Sequence, residues 1–528
     1  MNPLTENRLA GIALLFGLGF FAALFAAGFW LTDGAFVYSL DDTYIHLSMA
    51  EQIAAGGYGI NPNEFASADS SIIYPVLLVP FSGTWFHGFM PLVLNVFALV
   101  IALVLMAKII VESGLGKARG LSISIAIFLP VALNFQGLAL LGMEHMLHVD
   151  TVLMALLGLM RWQKTGRLNG LLIAAVLLGP LLRFEGLGLS LLLSVVVFWR
   201  GHRFAGIGLA LGALLPVIAF GLWLKSLGLS FLPNSVIAKS EIVGTDESAL
   251  WAVLGHNFGP YGAPLFALLF VVVGLAFLLA ATMPRFKLAP KHKVLALVTG
   301  GMVLGHAFLG KYGWANRYEI YALTFLVMAA LVVFAPFVAA TGRTGLYGKV
   351  ASLAAMTFGV AHYIGFAVVW AVHGPANIYN QQWQMAELAR SFEGGAIMVN
   401  DIGLVSFQNN NRIIDLYGLA SPAALKSRRE RAPRGWPNQM AIDEDVGMAM
   451  GYDSWFKGSL GPGWIPTAYL DLHVPATFLS PRVTIYATRI DMVDPIIDLL
   501  KSYEPKLPRF ASFEFIDAGA TPQPEDTQ

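Results

Sequence analysis

The chain has 528 residues, of which 56% are hydrophobic and 12% are charged, and its 33 basic residues balance its 33 acidic ones. A mean hydropathy of +0.65 excludes an ordinary soluble domain and indicates a polytopic membrane protein. The absence of cysteine excludes disulfides, Cys-ligated zinc and iron–sulfur clusters, and no basic run indicates binding to nucleic acid.

Apolar runs with few charges predict about eleven membrane-spanning helices. The first run is longer than the apolar core of a signal peptide and is interpreted as an uncleaved anchor. Runs 168–182 and 187–199 are shorter than the roughly 20 residues that a full crossing needs, so a re-entrant hairpin stays open there. The run 72–81 is interpreted as a buried or re-entrant piece of an outer loop. The eleven runs are 9–32, 89–110, 121–141, 146–161, 168–182, 187–199, 204–225, 261–283, 294–310, 319–339 and 347–373.

Basic residues alternate between the loops of this membrane part. If the N-terminus lies inside, fifteen basic residues fall on the inner side and five on the outer side. The positive-inside rule then predicts a multi-pass protein of the cytoplasmic (inner) membrane with a cytoplasmic N-terminus. Eleven crossings leave the C-terminal part outside the cytoplasm. The five outer residues are Arg183, Lys225, Lys239, Lys311 and Arg317.

The sequence predicts two domains. Residues 1–374 form the membrane domain, whose first outer loop, 33–88, is acidic and lacks Lys and Arg. Residues 375–528 are rich in charge and predict a soluble extracytoplasmic α/β domain of ordinary size, with a disordered polar tail from Thr521. Turn residues set off four strand candidates, 395–399, 412–416, 483–486 and 513–516.

The acidic pair Asp41-Asp42 opens a predicted helix in the first outer loop. Two adjacent carboxylates at a membrane surface are costly unless water, a cation or a substrate meets them. One of the two is expected to cap the helix through its side chain. The second then lies near the positive end of the helix, ionised and able to accept a proton or to hold a cation.

Two further polar groups are predicted on the outer side. Glu144, in the segment Gly142-Met143-Glu144-His145, is favoured as the buried partner of a cation over a metal ligand. Arg183 and Glu185 are embedded in an apolar hairpin, where charge is costly. Pairing across one residue is poor on a helix, so each is expected to find another partner, in a structural network or a substrate site.

Cations that suit a phosphate follow along the chain. Lys239, after Leu232-Pro233-Asn234-Ser235, either extends to the interface or neutralises a lipid phosphate. Arg317, in Trp314-Ala315-Asn316-Arg317-Tyr318, can hold a phosphate through two hydrogen bonds, beside aromatic residues typical of a membrane interface.

These motifs resemble those of GT-C membrane glycosyltransferases, in particular the mycobacterial terminal arabinofuranosyltransferase type. The segment Asp41-Asp42-Thr43-Tyr44-Ile45 is similar to the D-D-A-[FY]-I motif that opens their first outer loop. Gly142-Met143-Glu144 resembles G-x-E, and Arg183-Phe184-Glu185-Gly186 resembles R-P-E-G with phenylalanine in place of proline. Leu232-Pro233-Asn234-Ser235 with Lys239 resembles L-P-N-T…K.

The resemblance continues into the C-terminal domain, where Asp401-Ile402-Gly403 is similar to D-x-G and residues 414–419 to I-D-L-x-G-L. It implies a GT-C-like fold and the inverting transfer of a sugar from a polyprenyl-phosphate carrier to a glycan, lipid or protein acceptor. It implies that Asp41 is the base and that Asp42 caps the helix or assists. Arg183, Lys239 and Arg317 are then candidates for phosphate binding, and Glu144 and Glu185 would orient sugar hydroxyls or these cations. Asn234 is assigned to substrate binding.

Two other functions stay open at this stage. A secondary transporter or flippase also carries intramembrane charge, but the sequence shows no internal repeat of the kind typical of transporters. A non-catalytic scaffold for envelope assembly is the third interpretation. No metal ligands are assigned, no cofactor is required by the motifs, and a divalent cation is left open. The lipid bilayer is the remaining expected partner.

Overall fold

The computed structural model describes seven stretches of the chain, and the account below is confined to them: 4–239, 257–259, 263–313, 317–340, 342–456, 458–475 and 480–516. The segment 314–316 and the polar tail from Thr521 lie outside the described residues.

The described residues in the first three quarters of the chain form mainly helices, with irregular segments in the loop 33–88. Seven helical runs in the described part are long and apolar enough to cross a membrane: Glu6–Leu31, His87–Glu112, Arg203–Ser226, Pro264–Thr282, Pro290–Leu309, Ile320–Val338 and Gly342–Ser391. Three shorter apolar helices are Arg119–Ala132, Gly170–Leu182 and Gly186–Trp199. Further helices in this part are Asp42–Ala54, Tyr74–Leu78, Phe135–Leu140, His145–Thr165 and Asn234–Lys239.

This arrangement confirms the predicted fold class, a polytopic helical membrane protein followed by a C-terminal domain with a sheet. The single helix predicted over 121–141 is wrong, because the chain breaks at Asn134 (φ 51°) between Arg119–Ala132 and Phe135–Leu140. Helices Gly170–Leu182 and Gly186–Trp199 have 13 and 14 residues, or about 20 Å of rise each. That length is less than the hydrocarbon thickness, so the total of eleven crossings and the choice between a span and a re-entrant hairpin stay predictions.

The C-terminal part contains a mixed six-stranded sheet in the order β2-β1-β3-β5-β4-β6. Its first three strands are parallel to one another, and β5, β4 and β6 are joined by antiparallel pairing. The strands are β1 (Ala396–Val399), β2 (Ile413–Asp415), β3 (Val446–Gly451), β4 (Ile465–Leu472), β5 (Arg482–Ala487) and β6 (Ala511–Phe515). Helices in and around it are Gly374–Asn380, Gln382–Ser391, Gly403–Ser406, Pro422–Arg429, Trp436–Asp443, Asp453–Phe456 and Val493–Tyr503.

The four predicted strand segments correspond to β1, β2, β5 and β6, whereas β3 and β4 were missed. All six residues of β3 are buried, so the strand shows no polar and apolar alternation, and its sequence Val-Gly-Met-Ala-Met-Gly is poor in β-branched residues. The domain boundary at 374/375 stays a prediction.

The sheet domain packs against the first outer loop of the membrane domain. One buried apolar cluster contains Tyr44 and Leu47 from the outer loop together with Ile402 and Leu404 from the sheet domain. Asn61 extends the sheet edge, since its side-chain amide donates to the carbonyl of Ile413 (2.8 Å) and accepts from the Ile413 N–H (2.9 Å). The outer loop and the sheet domain therefore form a continuous packed interface, which brings the loops after β1–β3 next to the acidic pair.

Candidate active site

A cavity of about 150 Å³ lies where the sheet domain meets the membrane domain. The loops that follow β1, β2 and β3 form one wall, because the carboxyl ends of parallel strands meet at one edge of a sheet. The opposite wall comes from the start of helix Asp42–Ala54 and from the segment after helix Pro290–Leu309. The lining residues are Asp41, Asp42, Ile45, Lys311, Tyr318, Asn400, Asp401, Ile402, Tyr417, Leu419 and Trp455.

Asp41 lies at the centre of the domain interface. Its Oδ2 accepts the N–H of Gly403 (2.7 Å) and its Oδ1 accepts the N–H of Leu404 (2.8 Å). Position 403 requires glycine, since a Cβ there would overlap the carbonyl oxygen of Asp41. Burial raises the pKa of the Asp41 carboxyl and the negative charge of Asp401 raises it further, against the lowering effect of the two amides. Asp41 is thus a buried, strongly basic carboxylate.

Asp41 does not cap its own helix through its side chain, and the expected capping role of Asp42 stays a prediction. The backbone of Asp41 is already helical (φ −63°, ψ −36°), and its side chain forms no cap hydrogen bond. An N-cap normally has extended backbone, which turns its side chain back toward the helix amides. Here the carboxylate of Asp41 instead receives the amides at the start of Gly403–Ser406, so the first outer loop holds the sheet domain through this residue.

Asp42, the next residue, is paired with a buried arginine. Its Oδ2 lies 2.6 Å from Nη2 of Arg317, whose side chain is 1% exposed, while that of Asp42 is 20% exposed. Arg317 also contacts the sulfur of Met143 at 2.9 Å. The pair spans 275 positions of sequence and joins the first outer loop to the start of helix Ile320–Val338.

Three cationic side chains lie near the ring of Tyr318 at the cavity wall. Its ring centroid lies 5.1 Å from the guanidinium carbon of Arg317, 5.7 Å from that of Arg183 and 5.8 Å from Nζ of Lys311. Aromatic faces attract cations over such distances. Lys311 lines the cavity itself. Positive charge from two separate parts of the chain therefore converges beside the two carboxylates.

A second buried network adjoins this cluster. Glu144 is fully buried, and its Oε1 accepts from Nη1 of Arg183 (2.8 Å) and from the hydroxyl of Ser70 (2.7 Å). Its Oε2 lies 3.2 Å from Nε2 of His46. Arg183 also binds Glu185, with 2.6 Å between Nη2 and Oε1. The network holds Arg183 in place below Tyr318.

Arg183 has the second partner that the sequence predicted, Glu144, but the expectation that it would not also pair with Glu185 is wrong. Arg183 has extended backbone (φ −147°, ψ 133°) between two helices, so the helical spacing that disfavours such a pair does not apply. The expectation that Glu144 pairs with a buried cation fits the Arg183 contact.

Asn234 lies apart from the cavity lining. It is buried, and its backbone N–H donates to Oγ of Ser67 at 3.0 Å. Its neighbour Ser235 binds the carbonyl of Asp69. This segment therefore holds the outer loop in position, and a direct substrate contact by Asn234 stays a prediction. Lys239 ends helix Asn234–Lys239, and its side chain lies outside the described part of the structure.

Six polar or aromatic lining residues were not assigned as site residues from the sequence: Lys311, Tyr318, Asn400, Asp401, Tyr417 and Trp455. Asp401 and Tyr417 lie in recognised motifs, and a rule that follows the ends of parallel strands would have found both. Trp455 follows β3, which the sequence did not reveal. In the described part of the chain, no three His, Asp or Glu side chains converge as a metal site.

Comparisons with known proteins give a partial match and several distant likenesses. Residues 376–488 match a family described as a domain of unknown function (DUF8728). A comparison with curated proteins finds no significant match. Among solved structures, ArnT from Cupriavidus metallidurans in the apo state is similar at 12% identity and a TM-score of 0.42, covering 91% of this chain and 98% of that one.

The same ArnT bound to undecaprenyl phosphate gives 13% identity and a TM-score of 0.39, covering 91% and 99%. The oligosaccharyltransferase of Archaeoglobus fulgidus in the apo form gives 12% identity and a TM-score of 0.48, covering 90% and 74%. These three likenesses are distant, with TM-scores below 0.5. The resemblance to the mycobacterial arabinofuranosyltransferase type stays a prediction.

Proposed function

We propose that this protein is a GT-C-type glycosyltransferase that moves a sugar from a polyprenyl-phosphate carrier to an extracytoplasmic glycan, lipid or protein acceptor. The observation that carries the proposal is the cavity in which the carboxylates of Asp41 and Asp42 face Lys311 and the ring of Tyr318. A transfer of this kind needs a base for the acceptor hydroxyl and positive charge for the departing phosphate.

The cations beside Tyr318 suit the leaving group. A polyprenyl tail remains in the bilayer, so its phosphate lies at the level where membrane helices end. Lys311 follows helix Pro290–Leu309 and Arg317 precedes helix Ile320–Val338, so both are at that level. Their charge, with that of Arg183, stabilises the second negative charge that the phosphate gains when its bond to the sugar breaks.

Asp41 is the stronger candidate for the base. The charge of Asp42 is balanced by Arg317, whereas the pKa of Asp41 is raised by burial and by Asp401. A single inverting displacement then balances as follows. The acceptor oxygen bonds to the anomeric carbon, its proton goes to Asp41, and the electrons of the broken sugar–oxygen bond stay on the phosphate.

The proposed orientation has the N-terminus in the cytoplasm and residues 375–528 outside the cytoplasmic membrane. The fifteen-to-five distribution of basic residues supports it. Asp41, Arg183, Lys311 and Arg317 all belong to predicted outer segments, and the structure brings them to one junction with the sheet domain.

Release of free polyprenyl phosphate tests this function. The full-length protein in nanodiscs is mixed with lipid-linked sugars extracted from the host membrane, and free polyprenyl phosphate is followed by mass spectrometry. The wild type should release it when a host envelope extract supplies acceptors, and Lys311→Ala should slow the release. Asp443→Asn, an exposed carboxylate remote from the cavity, is the matched control and should behave like the wild type. A transporter or flippase would move the carrier without releasing polyprenyl phosphate, and that result would contradict the proposal.

A further inference from the structure

The wall of the cavity that comes from the sheet domain has features that the proposed transfer chemistry does not use. It contains an aromatic pair, Tyr417 and Trp455, and a buried amide, Asn400. All three follow the ends of parallel strands, on the side of the cavity opposite Lys311 and the cations. They lie within the segment that matches a domain of unknown function.

Asn400 lines the cavity, and its side chain carries a donor that is buried and has no partner among the described residues. Its side chain belongs to a residue that is 3% exposed, and its Oδ1 accepts the N–H of Tyr452 at 3.2 Å. That bond fixes the orientation of the amide and leaves Nδ2 without a partner in the described part of the chain. A buried amide donor without a partner is costly, so a ligand oxygen that reaches Nδ2 would be bound favourably.

Local structure presents the two aromatic rings. Asp415, the last residue of β2, accepts the N–H groups of Tyr417 and Ala420 at 2.7 Å each and closes a tight turn. Gly418 has φ +94°, and a Cβ there would lie 2.6 Å from the backbone of Leu425, so this turn requires glycine. The turn holds the ring of Tyr417 at 5.5 Å from that of Trp455.

Trp455 keeps part of its surface accessible. It is 38% exposed although it lines the cavity, and the ring of Tyr452 packs edge-on against it at 5.3 Å. The second aromatic, Tyr417, has the guanidinium of Arg428 stacked 3.9 Å from its ring centroid. Both rings therefore have fixed neighbours, and Trp455 lines the same cavity as the two carboxylates while remaining partly accessible.

We propose that Asn400, Tyr417 and Trp455 form a subsite that binds one sugar ring of the acceptor, so that the acceptor is a carbohydrate. A sugar ring has an apolar C–H face, which packs on an aromatic side chain, and a rim of hydroxyls, which accept from an amide. The cavity has room for a sugar-sized ring, since an engineered cavity of similar volume, about 150 Å³, binds benzene. The inference rests on the proposed function and names its acceptor class.

The position of the subsite assigns it to the acceptor. The carrier phosphate is drawn to Lys311 and the cations beside Tyr318, at the membrane side of the cavity. Asp41 lies between that wall and the sheet domain, within the same lining. We assign the ring held on Trp455 to the acceptor, because the cations that suit the leaving phosphate belong to the membrane domain, whereas Trp455 belongs to the sheet domain and lines the same cavity as Asp41.

Saturation-transfer NMR on the full-length protein in nanodiscs tests the subsite. The probes are a panel of methyl glycosides of hexoses and pentoses, with a serine-containing tripeptide as the alternative acceptor. The measurement is made with undecaprenyl phosphate in excess, so that the phosphate site is filled. At least one glycoside should bind the wild type, and Trp455→Ala and Asn400→Ala should each weaken its binding about tenfold, on the scale of an aromatic contact or a hydrogen bond.

Two variants control for a general loss of structure. Trp455→Phe keeps a ring and should restore most of the binding that Trp455→Ala loses. Trp85→Ala removes an outer-loop tryptophan that is 84% exposed and does not line the cavity, and it should bind like the wild type. Each variant is accepted only if undecaprenyl phosphate still raises its melting temperature.

The outcomes separate the two proposals. Glycoside binding that is absent from the wild type, or equal in the wild type, Trp455→Ala and Asn400→Ala, would overturn the subsite. Binding of the tripeptide that Trp455→Ala abolishes would overturn it as well. A wild-type protein that undecaprenyl phosphate fails to stabilise would instead contradict the proposed donor, whatever the glycosides do.

Discussion

Replacing Asp41 with asparagine separates two roles that the structure gives to one carboxylate. Asparagine has one acceptor oxygen, so only one of the two N–H groups of Gly403 and Leu404 keeps its partner. A hydrogen bond to a charged group contributes about 1.5–3 kcal/mol, and the lost one leaves a buried donor unsatisfied. We therefore expect Asp41→Asn to lower the free energy of unfolding by about 2 kcal/mol.

The chemical loss should be larger. Asparagine cannot accept the acceptor proton, and removal of a general base reduces the rate by about 10²–10⁴-fold. The comparison variant is Gly403→Ala, whose added Cβ overlaps the carbonyl oxygen of Asp41 and disturbs the same contact without removing the carboxylate. Gly403→Ala should lose comparable stability and keep measurable activity.

The assay is sugar transfer measured at a temperature where both variants remain folded, as judged by thermal melting in nanodiscs. Transfer by Asp41→Asn should be at least about 100-fold below the wild type, and transfer by Gly403→Ala should be clearly above that of Asp41→Asn. Equal losses in the two variants would assign Asp41 a structural role alone. Wild-type transfer by Asp41→Asn would refute the reasoning on the base.

The remaining predictions concern the cations, the buried network, pH and orientation. Arg317→Ala should weaken binding of undecaprenyl phosphate in a thermal-shift titration, and unchanged affinity would move the phosphate site elsewhere. Glu144→Ala removes the fully buried one of the two carboxylates that pair with Arg183 and should lower the free energy of unfolding by about 3–5 kcal/mol. Chemical denaturation measures this change, and a loss below about 1 kcal/mol would contradict the stabilising role of the network. Because a base must be unprotonated and burial raises the pKa of Asp41, activity should fall as pH decreases below that raised pKa. A pH–rate profile that stays flat down to the ordinary pKa range of an aspartate would argue against Asp41 as the base. An alkaline phosphatase fused after Gln528 should be active in a bacterial host, and an inactive fusion would reverse the orientation.

Hydrophobicity and charge were sufficient to predict the polytopic helical fold from the sequence. Each long apolar run must satisfy its own backbone hydrogen bonds in lipid, so it forms a helix wherever it lies. Local backbone conformation was harder to predict from the sequence. At Asn134, a residue in the left-handed conformation divides an apolar run that is continuous in the sequence. The sequence did not predict β3, because burial on both faces removes the alternation of polar and apolar residues that indicates a strand.

The acidic pair was located from sequence, but the partners of its members were not. Asp41 meets amides 362 and 363 positions away, and Asp42 meets Arg317 275 positions away. Such contacts depend on how the sheet domain packs on the outer loop, which no local pattern encodes. The pairing of Arg183 with Glu185 was misjudged because it depends on extended backbone at one residue between two helices.

The central claim is that Asp41 and Asp42 face the phosphate of a polyprenyl carrier across one cavity. Cryo-electron microscopy of the full-length protein in a nanodisc with undecaprenyl phosphate measures this directly. We expect phosphate density on the Lys311 side of the cavity, within about 3 Å of Nζ of Lys311, as is usual for charge-assisted hydrogen bonds. Phosphate density on another part of the protein, with the cavity lining unchanged, would contradict it.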